Sequence, residues 1–360
     1  MYSEEGNSLK HLHDKIAIVV TSISRPTKAL VELGRKCGER GDHFIVIGDE
    51  ASPRDFRVEG CEFYDIERQM ASPYRYAQQC PTRHYARKNI GYLLAMERAA
   101  ARIVETDDDN IPLETYWQPR QRRRLVKAVQ DKRWVNVYHY FTEEHIWPRG
   151  FPLDAVRVKP MPWQELKTEE LDCPVQQGLA DNHPDVDAIY NLTMPLPQFF
   201  KKDRQVSLKP GAWCPFNSQN TTWWPPVYPL LYLPACCSFR LTDIWRSFVA
   251  QRIMWANGWN VLFHGPTVWQ DRNAHDLMRD FRDEIAGYLN NYAIGDAFDK
   301  LPVKAGVEHL GDNLCLCYEK LISMRLVDKK ELILLKAWLE DLKLASRSLP
   351  AMEYSASLAS

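Results

Sequence analysis

The chain has almost no excess of either charge: 46 Lys and Arg against 47 Asp and Glu leave a formal net charge of −1. That balance offers no polyelectrolyte signature, so nucleic acid is not the expected partner. No apolar run approaches the ~20 residues that a membrane-spanning helix needs. There is no C-x-x-C pair for zinc, and the nine cysteines, an odd number, lack the spacing of a disulfide framework. Reduced, buried thiols in a cytoplasmic chain are the expectation, with a peripheral membrane association as the rival location. No G-x-G-x-x-G follows the first strand and no Gly-Lys-Ser/Thr phosphate loop occurs, which disfavours a nicotinamide enzyme or an ordinary NTPase. Nor is there an internal repeat. The stretch Met1–Gly6 is acidic and polar, so no signal peptide is expected from it.

What is present is a folded, aromatic-rich composition. Of 360 residues 45% are hydrophobic, and seven of the twelve tryptophans fall between Trp213 and Trp269. These tryptophans read as core, with stacking on sugar rings as the rival role. Up to Pro112 the chain alternates strands and helices. Ile16–Val20 is a buried strand opening into Thr21, Ser22, Ser24 and Arg25. A helix from about Thr27 to Arg40 ends at Gly38 and Gly41. His43–Ile47 is a second strand closing on Asp49, and Cys61–Tyr64 a third, short one. Thr82 can cap a helix that runs to about Ala100. Such alternation builds a mostly parallel sheet covered on both faces, with ligands outside the carboxyl ends of its strands.

Between Tyr116 and Arg240 the prolines forbid long helices, and the segment reads as an irregular, aromatic binding surface. The arginines from Arg120 to Arg124 read as a solvated loop and helix start. A helix over Thr242–Ala256 follows, then Gly258 and a strand over Asn260–Phe263. Two helices over Asp312–Ser346, joined near Val327, read as a packing element or a homo-oligomer contact.

The acidic triplet Asp107-Asp108-Asp109 closes an apolar strand that begins near Ala100. Strand alternation would turn Asp107 and Asp109 one way and Asp108 the other. Two carboxylates so placed suit a hard cation, Mn²⁺ or Mg²⁺, that also holds phosphate oxygens. The bland alternative is an acidic turn before Pro112. A nucleoside-diphosphate sugar would find further groups in this chain. Thr21, Ser22, Ser24, Arg25 and Asp49 can meet the base and ribose, Arg87, Lys88 and Asn89 the phosphates, and Asp108 the sugar or ribose hydroxyls. Asp243 is either a helix cap or a general base for an acceptor hydroxyl.

The order of strand, acidic triplet and Thr242-Asp243 helix resembles a GT-A glycosyltransferase, and residues 239–275 follow that pattern. The chain is most similar to the STELLO-type glycosyltransferases, and more distantly to the reversibly glycosylated polypeptides, which include UDP-arabinopyranose mutases. The stretches that carry the likeness are Trp134–Tyr138, Ile146–Leu153, Val175–Asp181, Pro184–Ala188 and Trp213–Thr221, and it spans about residues 15 to 290. It implies a GT-A-type, Rossmann-like α/β domain over residues 15–295, a helical extension over 296–347, and tails at 1–14 and 348–360. It also implies a nucleotide-sugar donor, UDP-linked, a glycan or other hydroxyl acceptor in polysaccharide synthesis, and Gln177 as a donor contact. His275 would complete the metal shell, with a surface histidine as the rival reading. A ring-form mutase and a non-catalytic scaffold remain the alternatives.

Overall fold

A computed structural model describes residues 15–272 and 276–348. In chain order its regular elements are β1 (Ile16–Thr21), α1 (Lys28–Arg40), β2 (His43–Ile47), β3 (Glu62–Tyr64), α2 (Ile66–Met70), α3 (Arg75–Gln79), α4 (Lys88–Glu97), β4 (Arg102–Thr106) and β5 (Asn110–Pro112). These are followed by β6 (Arg123–Val129), β7 (Lys167–Asp172), β8 (Val175–Asn182), α5 (Ala188–Thr193), β9 (Gln205–Leu208), β10 (Asn220–Trp223), α6 (Thr242–Ala256) and β11 (Val261–Gln270). Three helices close the chain: α7 (Leu277–Asp299), α8 (Leu310–Ser323) and α9 (Glu331–Ala345).

One sheet of eleven strands runs in the order β3-β2-β1-β4-β10-β8-β11-β9-β6-β7, with β5 paired to β11. From β3 to β4 every pairing is parallel. Beyond β4 the sheet is mixed: β10 is antiparallel to both β4 and β8, while β8 and β11 are parallel. The mostly parallel sheet expected above therefore holds for its first four strands only.

The N-terminal strands are apolar throughout because helices cover both faces. Alternate residues of β1 sort accordingly: Ala17 and Val19 join the core with α4, Ile18 and Val20 the core with α1. Helix α1 starts where the Thr27 hydroxyl accepts the Leu30 amide at 3.2 Å, and it stops at Gly41, whose φ of 70° is left-handed. Helix α4 is buried from Lys88 to Met96, and Gly91 lets it lie flush on the sheet. A Cβ at Gly91 would stand 2.5 Å from Val19 Cγ1.

Residues 116–240 are not an irregular surface. They supply β6 to β10, and Arg123 begins a strand rather than a helix. Their central strands were hard to read because they are polar: Asn220, Thr221 and Thr222 of β10 and Gln176 and Gln177 of β8 are all buried. Trp213, Trp223, Trp245 and Trp259 are buried as well, while Trp269 is partly exposed.

Helix α7, 23 residues long, was not anticipated, and a boundary at 295–296 falls inside it. The last two helices are integral to the main core, which includes Leu321, Leu335 and Trp338. Asp341 accepts the Arg75 and Tyr76 amides at 3.1 and 2.7 Å, capping α3 from α9. Their principal apolar faces are thus buried within this chain. Among the described residues no helix is long and apolar enough to cross a membrane.

Candidate functional site

Strands β1, β2 and β4 all point their carboxyl ends to one edge, and β1 lies between the other two. The chain moves outward from β1 through β2 to β3 and then crosses back to set β4 on the other side of β1, and such a reversal opens a crevice. A cavity of about 820 Å³ occupies it, lined by Thr21, Ser22 and Ser24, by Gly48 and Asp49, and by Asp107, Asp108 and Asp109. The same lining carries Arg149, Asp185, Arg240, Asp243 and Arg272.

The acidic triplet does not alternate. Strand β4 stops at Thr106, residues 108–109 form a turn, and all three aspartates line the cavity. The turn is held in place from several sides. Ser22 Oγ donates to Asp108 Oδ2 at 2.5 Å, and the Thr27 hydroxyl donates to the Asp108 carbonyl. Tyr85 donates to Asp107 Oδ1 at 2.9 Å, and the wholly buried Lys88 ammonium reaches the same oxygen at 3.3 Å. Lys88 also donates to the Thr106 carbonyl at 2.7 Å. Gln270, at the end of β11, approaches Asp109 Oδ2 at 3.3 Å, because β5 pairs with β11 directly after the turn. Burial raises the pKa of Asp107, against the charge of Lys88 and the Tyr85 bond, and raises that of Asp108 against the Ser22 bond.

Asp243, in the first turn of α6, takes both terminal guanidinium nitrogens of Arg149, with Nη2 to Oδ2 at 2.8 Å. The Ser218 amide and hydroxyl reach the same Oδ2 at 3.1 and 3.2 Å. Arg149 Nε donates to Asp185 Oδ1 at 2.7 Å, and Nη1 to the Arg240 carbonyl. Burial alone would raise the Asp243 pKa, but Arg149, with Arg246 and Ser218, outweighs it and holds the carboxyl at about 2. A carboxylate that weakly basic, with donors on both oxygens, is suited to anchoring Arg149 and poorly suited to deprotonating a hydroxyl. Arg240 pairs with Glu284 at 2.8 Å and Arg272 with Asp280 at 3.2 Å. Burial and the neighbouring Arg240 lower the pKa of Arg272.

A profile described as STELLO glycosyltransferases matches residues 240–356. Two curated relatives from Arabidopsis thaliana, Probable glycosyltransferase STELLO2 and Probable glycosyltransferase STELLO1, are each 28% identical over 272 residues. The chain is similar to the STELLO glycosyltransferases. The aligned part is 70% of this chain and 35% of each relative, so the chain spans about a third of the length of the curated proteins it matches. Its likeness to the STELLO family runs past residue 290 into α8 and α9, further than the motifs quoted above reach. Among solved structures, a mycobacterial protein aligns at 12% identity and a TM-score of 0.38, covering 78% of both chains. Glucosyl-3-phosphoglycerate synthase of M. tuberculosis aligns at 10% and 0.37, covering 80% of this chain and 84% of that one. Neither likeness is close enough to assign anything here.

Of the anticipated residues of this STELLO-like chain, Thr21, Ser22, Ser24, Asp49, Arg87, Asp107, Asp108, Asp109 and Asp243 all border the cavity. Arg25 is exposed and outside the lining, on the short link before the Thr27 cap. Lys88 does not line the cavity either; it lies beneath, neutralising Asp107. Asn89 is spent in the core, donating to the Tyr76 hydroxyl and to the Leu233 carbonyl while accepting the Leu233 amide. Gln177 stands one layer back and positions Asn217, whose amide group donates to Asp185 at 2.7 Å. His275 lies outside the described residues. The residues missed were Tyr85, Arg149, Asp185, Ser218, Arg240, Gln270 and Arg272. Arg149, Asp185 and Ser218 sit inside the stretches that carry the family likeness, and that was their only signal.

The donor set fits a hard divalent cation in part. Asp107, Asp108 and Asp109 bring carboxylate oxygens to one cavity, and Asp107 Oδ2 takes no protein partner among the described residues. Among those residues no group of three or more His, Cys, Asp or Glu is arranged so that it could hold a metal ion by itself. A cation here would need oxygens from a ligand or from water to fill its shell.

Proposed function

We propose that this chain is a glycosyltransferase domain that moves a sugar from a nucleotide sugar, UDP-linked, to a hydroxyl acceptor. The observation that carries the reading is the gathering of three successive carboxylates and three arginines, Arg149, Arg240 and Arg272, around a single cavity at the sheet's reversal point. Its volume lies within the ~300–1,000 Å³ range of small-molecule and cofactor sites. Similarity to the STELLO glycosyltransferases supports the transfer class.

In this reading Asp107 and Asp109 would hold Mn²⁺ or Mg²⁺, which when bound neutralises a departing diphosphate. Lys88 favours the ionised form of Asp107, against the effect of burial, and aims it by direct contact. Asp108, clasped by Ser22, is placed for hydroxyls at the β1 end. Arg240 and Arg272, each paired with an acid behind it, bring guanidinium groups to the cavity lining, where phosphate oxygens or an anionic acceptor would find N–H donors. Asp243 holds Arg149 rigid through paired hydrogen bonds, a positioning role rather than proton transfer.

Heating the chain with UDP, with Mn²⁺ and with both together tests the reading. The two ligands should stabilise it cooperatively, as ligands of the native state do. Incubation with UDP-sugars and acceptors, with products followed by NMR, should then show transfer. Accumulation of ring isomers without acceptor would instead indicate a mutase. Absence of any stabilisation would indicate a scaffold.

A further inference from the structure

At the β2 end of the cavity the hydrogen-bonding groups that face a ligand are donors. Asp49, which borders this end, is an obvious acceptor, but its carboxylate is already taken. Its Oδ1 receives the Glu50 and Arg83 amides, both at 2.8 Å, and Oδ2 receives the His84 amide at 3.0 Å. The unspent groups belong to the short turn of 3₁₀ helix over Tyr85–Arg87 and its cap, His84. His84 Nδ1 accepts the Ala86 amide at 3.0 Å, which fixes the ring proton on Nε2 and makes that nitrogen a donor. Burial lowers the His84 pKa, so the ring stays neutral and the cap stays made near neutral pH.

Arg87 supplies the second donor. It is 1% exposed, with Nε on the Gln69 side-chain oxygen at 2.7 Å and Nη1 on the Cys80 carbonyl at 2.9 Å. Its Nη2 is buried without a partner. Both His84 and Arg87 line the cavity, one at the cap and the other at the end of the same short turn. A buried guanidinium N–H left unmade is costly, and a ligand oxygen would satisfy it.

We infer that His84 and Arg87 are a two-donor reader for a carbonyl-bearing pyrimidine, uracil or thymine, and that they select against cytosine. Uracil offers two carbonyl oxygens. Cytosine replaces one with an amino group, which would set donor against donor in a buried place. The inference rests on the nucleotide-sugar reading above and adds the residues that would impose its preference for uracil.

Calorimetric titration of the full chain with UDP and with CDP, each in Mn²⁺, tests it. UDP should bind at least about tenfold tighter than CDP, the loss expected for one unmade hydrogen bond to a charged or buried group. His84→Asn keeps an acceptor for the Ala86 amide and removes the far donor, so it should compress that ratio by weakening UDP selectively. Arg87→Met should do the same where it folds, and His84→Asn carries the test where it does not. Equal binding of UDP and CDP by the wild type, or an equal loss of both in His84→Asn, would overturn the base reader and leave the nucleotide-sugar reading standing. Failure of the wild type to bind either nucleotide would overturn both.

Discussion

Arg149 and Asp243, 94 residues apart in sequence, meet in a two-pronged ion pair at the cavity wall, Nη2 to Oδ2 at 2.8 Å and Nη1 to Oδ1 at 3.1 Å. The pair ties the loop before Gly150 to the first turn of α6, and Asp185 completes the clasp from a third segment. Breaking a buried pair by removing one partner strands the other charge, at about 3–5 kcal/mol. Asp185 still pairs with Arg149 in Asp243→Asn, so that variant should lose less than this near neutral pH, about 2 kcal/mol. The folded-state pKa is depressed, so the stabilisation is complete above the ordinary value of 3.8 and fades as the pH falls toward about 2. Urea denaturation at stepped pH should therefore show wild type and variant converging in that window. In the pH–rate profile the variant should keep the acidic limb of the wild type, as the proposed positioning role of Asp243 requires; a shifted limb would restore the base role.

Asp107→Ala and Asp109→Ala should each abolish turnover and remove the joint stabilisation by UDP and Mn²⁺. The fold itself should hold, because Lys88, though it loses a counter-charge in Asp107→Ala, keeps the Tyr85 hydroxyl and the Thr106 and Ser218 carbonyls as acceptors. Unchanged turnover in both variants, in a melting-controlled assay, would sink the cation assignment.

Binding of Mn²⁺ should weaken as acid is added, and earlier than ordinary carboxylates would dictate. The Asp107 and Asp108 pKa values are both raised by burial, so protons compete for these oxygens at a pH above the usual 3.8. Calorimetry of Mn²⁺ with UDP at stepped pH measures this directly. In Lys88→Met the loss should begin at still higher pH, since the charge that opposes protonation of Asp107 is gone. An identical pH dependence in that variant would show that Lys88 does not tune the site.

Much of the N-terminal half was legible because its physics is local. Apolar runs such as Ala17–Val20 and Phe44–Ile47 can only be strands buried on both faces, and Thr27 and Gly41 delimit their helix by side-chain and backbone capping. The triplet's place at a strand end followed from the same pattern. Its side-chain directions did not, because Asp107 already lies beyond the last paired residue and the alternation rule lapses in a turn. The mixed half was illegible for a different reason. Strand β10 reads Asn-Thr-Thr-Trp, a solvent-like sequence, yet it is buried between β4 and β8, where Asn220 donates to Thr267 at 2.7 Å and Thr222 accepts from Arg120 Nη1 at 3.3 Å. No window of the sequence reveals that such polar groups find partners from segments tens of residues away. The arginines of the lining were hidden likewise, since Arg149, Arg240 and Arg272 converge only through the tertiary fold.

The mount of the aspartate turn yields the last prediction. Glu105, two residues before Asp107, is wholly buried and takes Arg246 of α6 on both oxygens, at 2.9 and 2.8 Å. Trp223 Nε1 donates to it at 2.8 Å and the Tyr92 hydroxyl donates as well, so α4, β10 and α6 all fasten on the strand that presents the triplet. Glu105→Gln and Arg246→Met should each cost about 3–5 kcal/mol, because each leaves a buried partner without its counter-charge. The double variant should be less damaging than the sum of the two, since neither charge is then left alone. Urea denaturation of all four proteins closes the cycle. If the penalties instead add, the two side chains act independently and the ion pair is not what fixes β4. With coupling present, the single variants should also weaken UDP and Mn²⁺ binding under conditions where they remain folded, because a loosened β4 no longer presents Asp107 to the cavity.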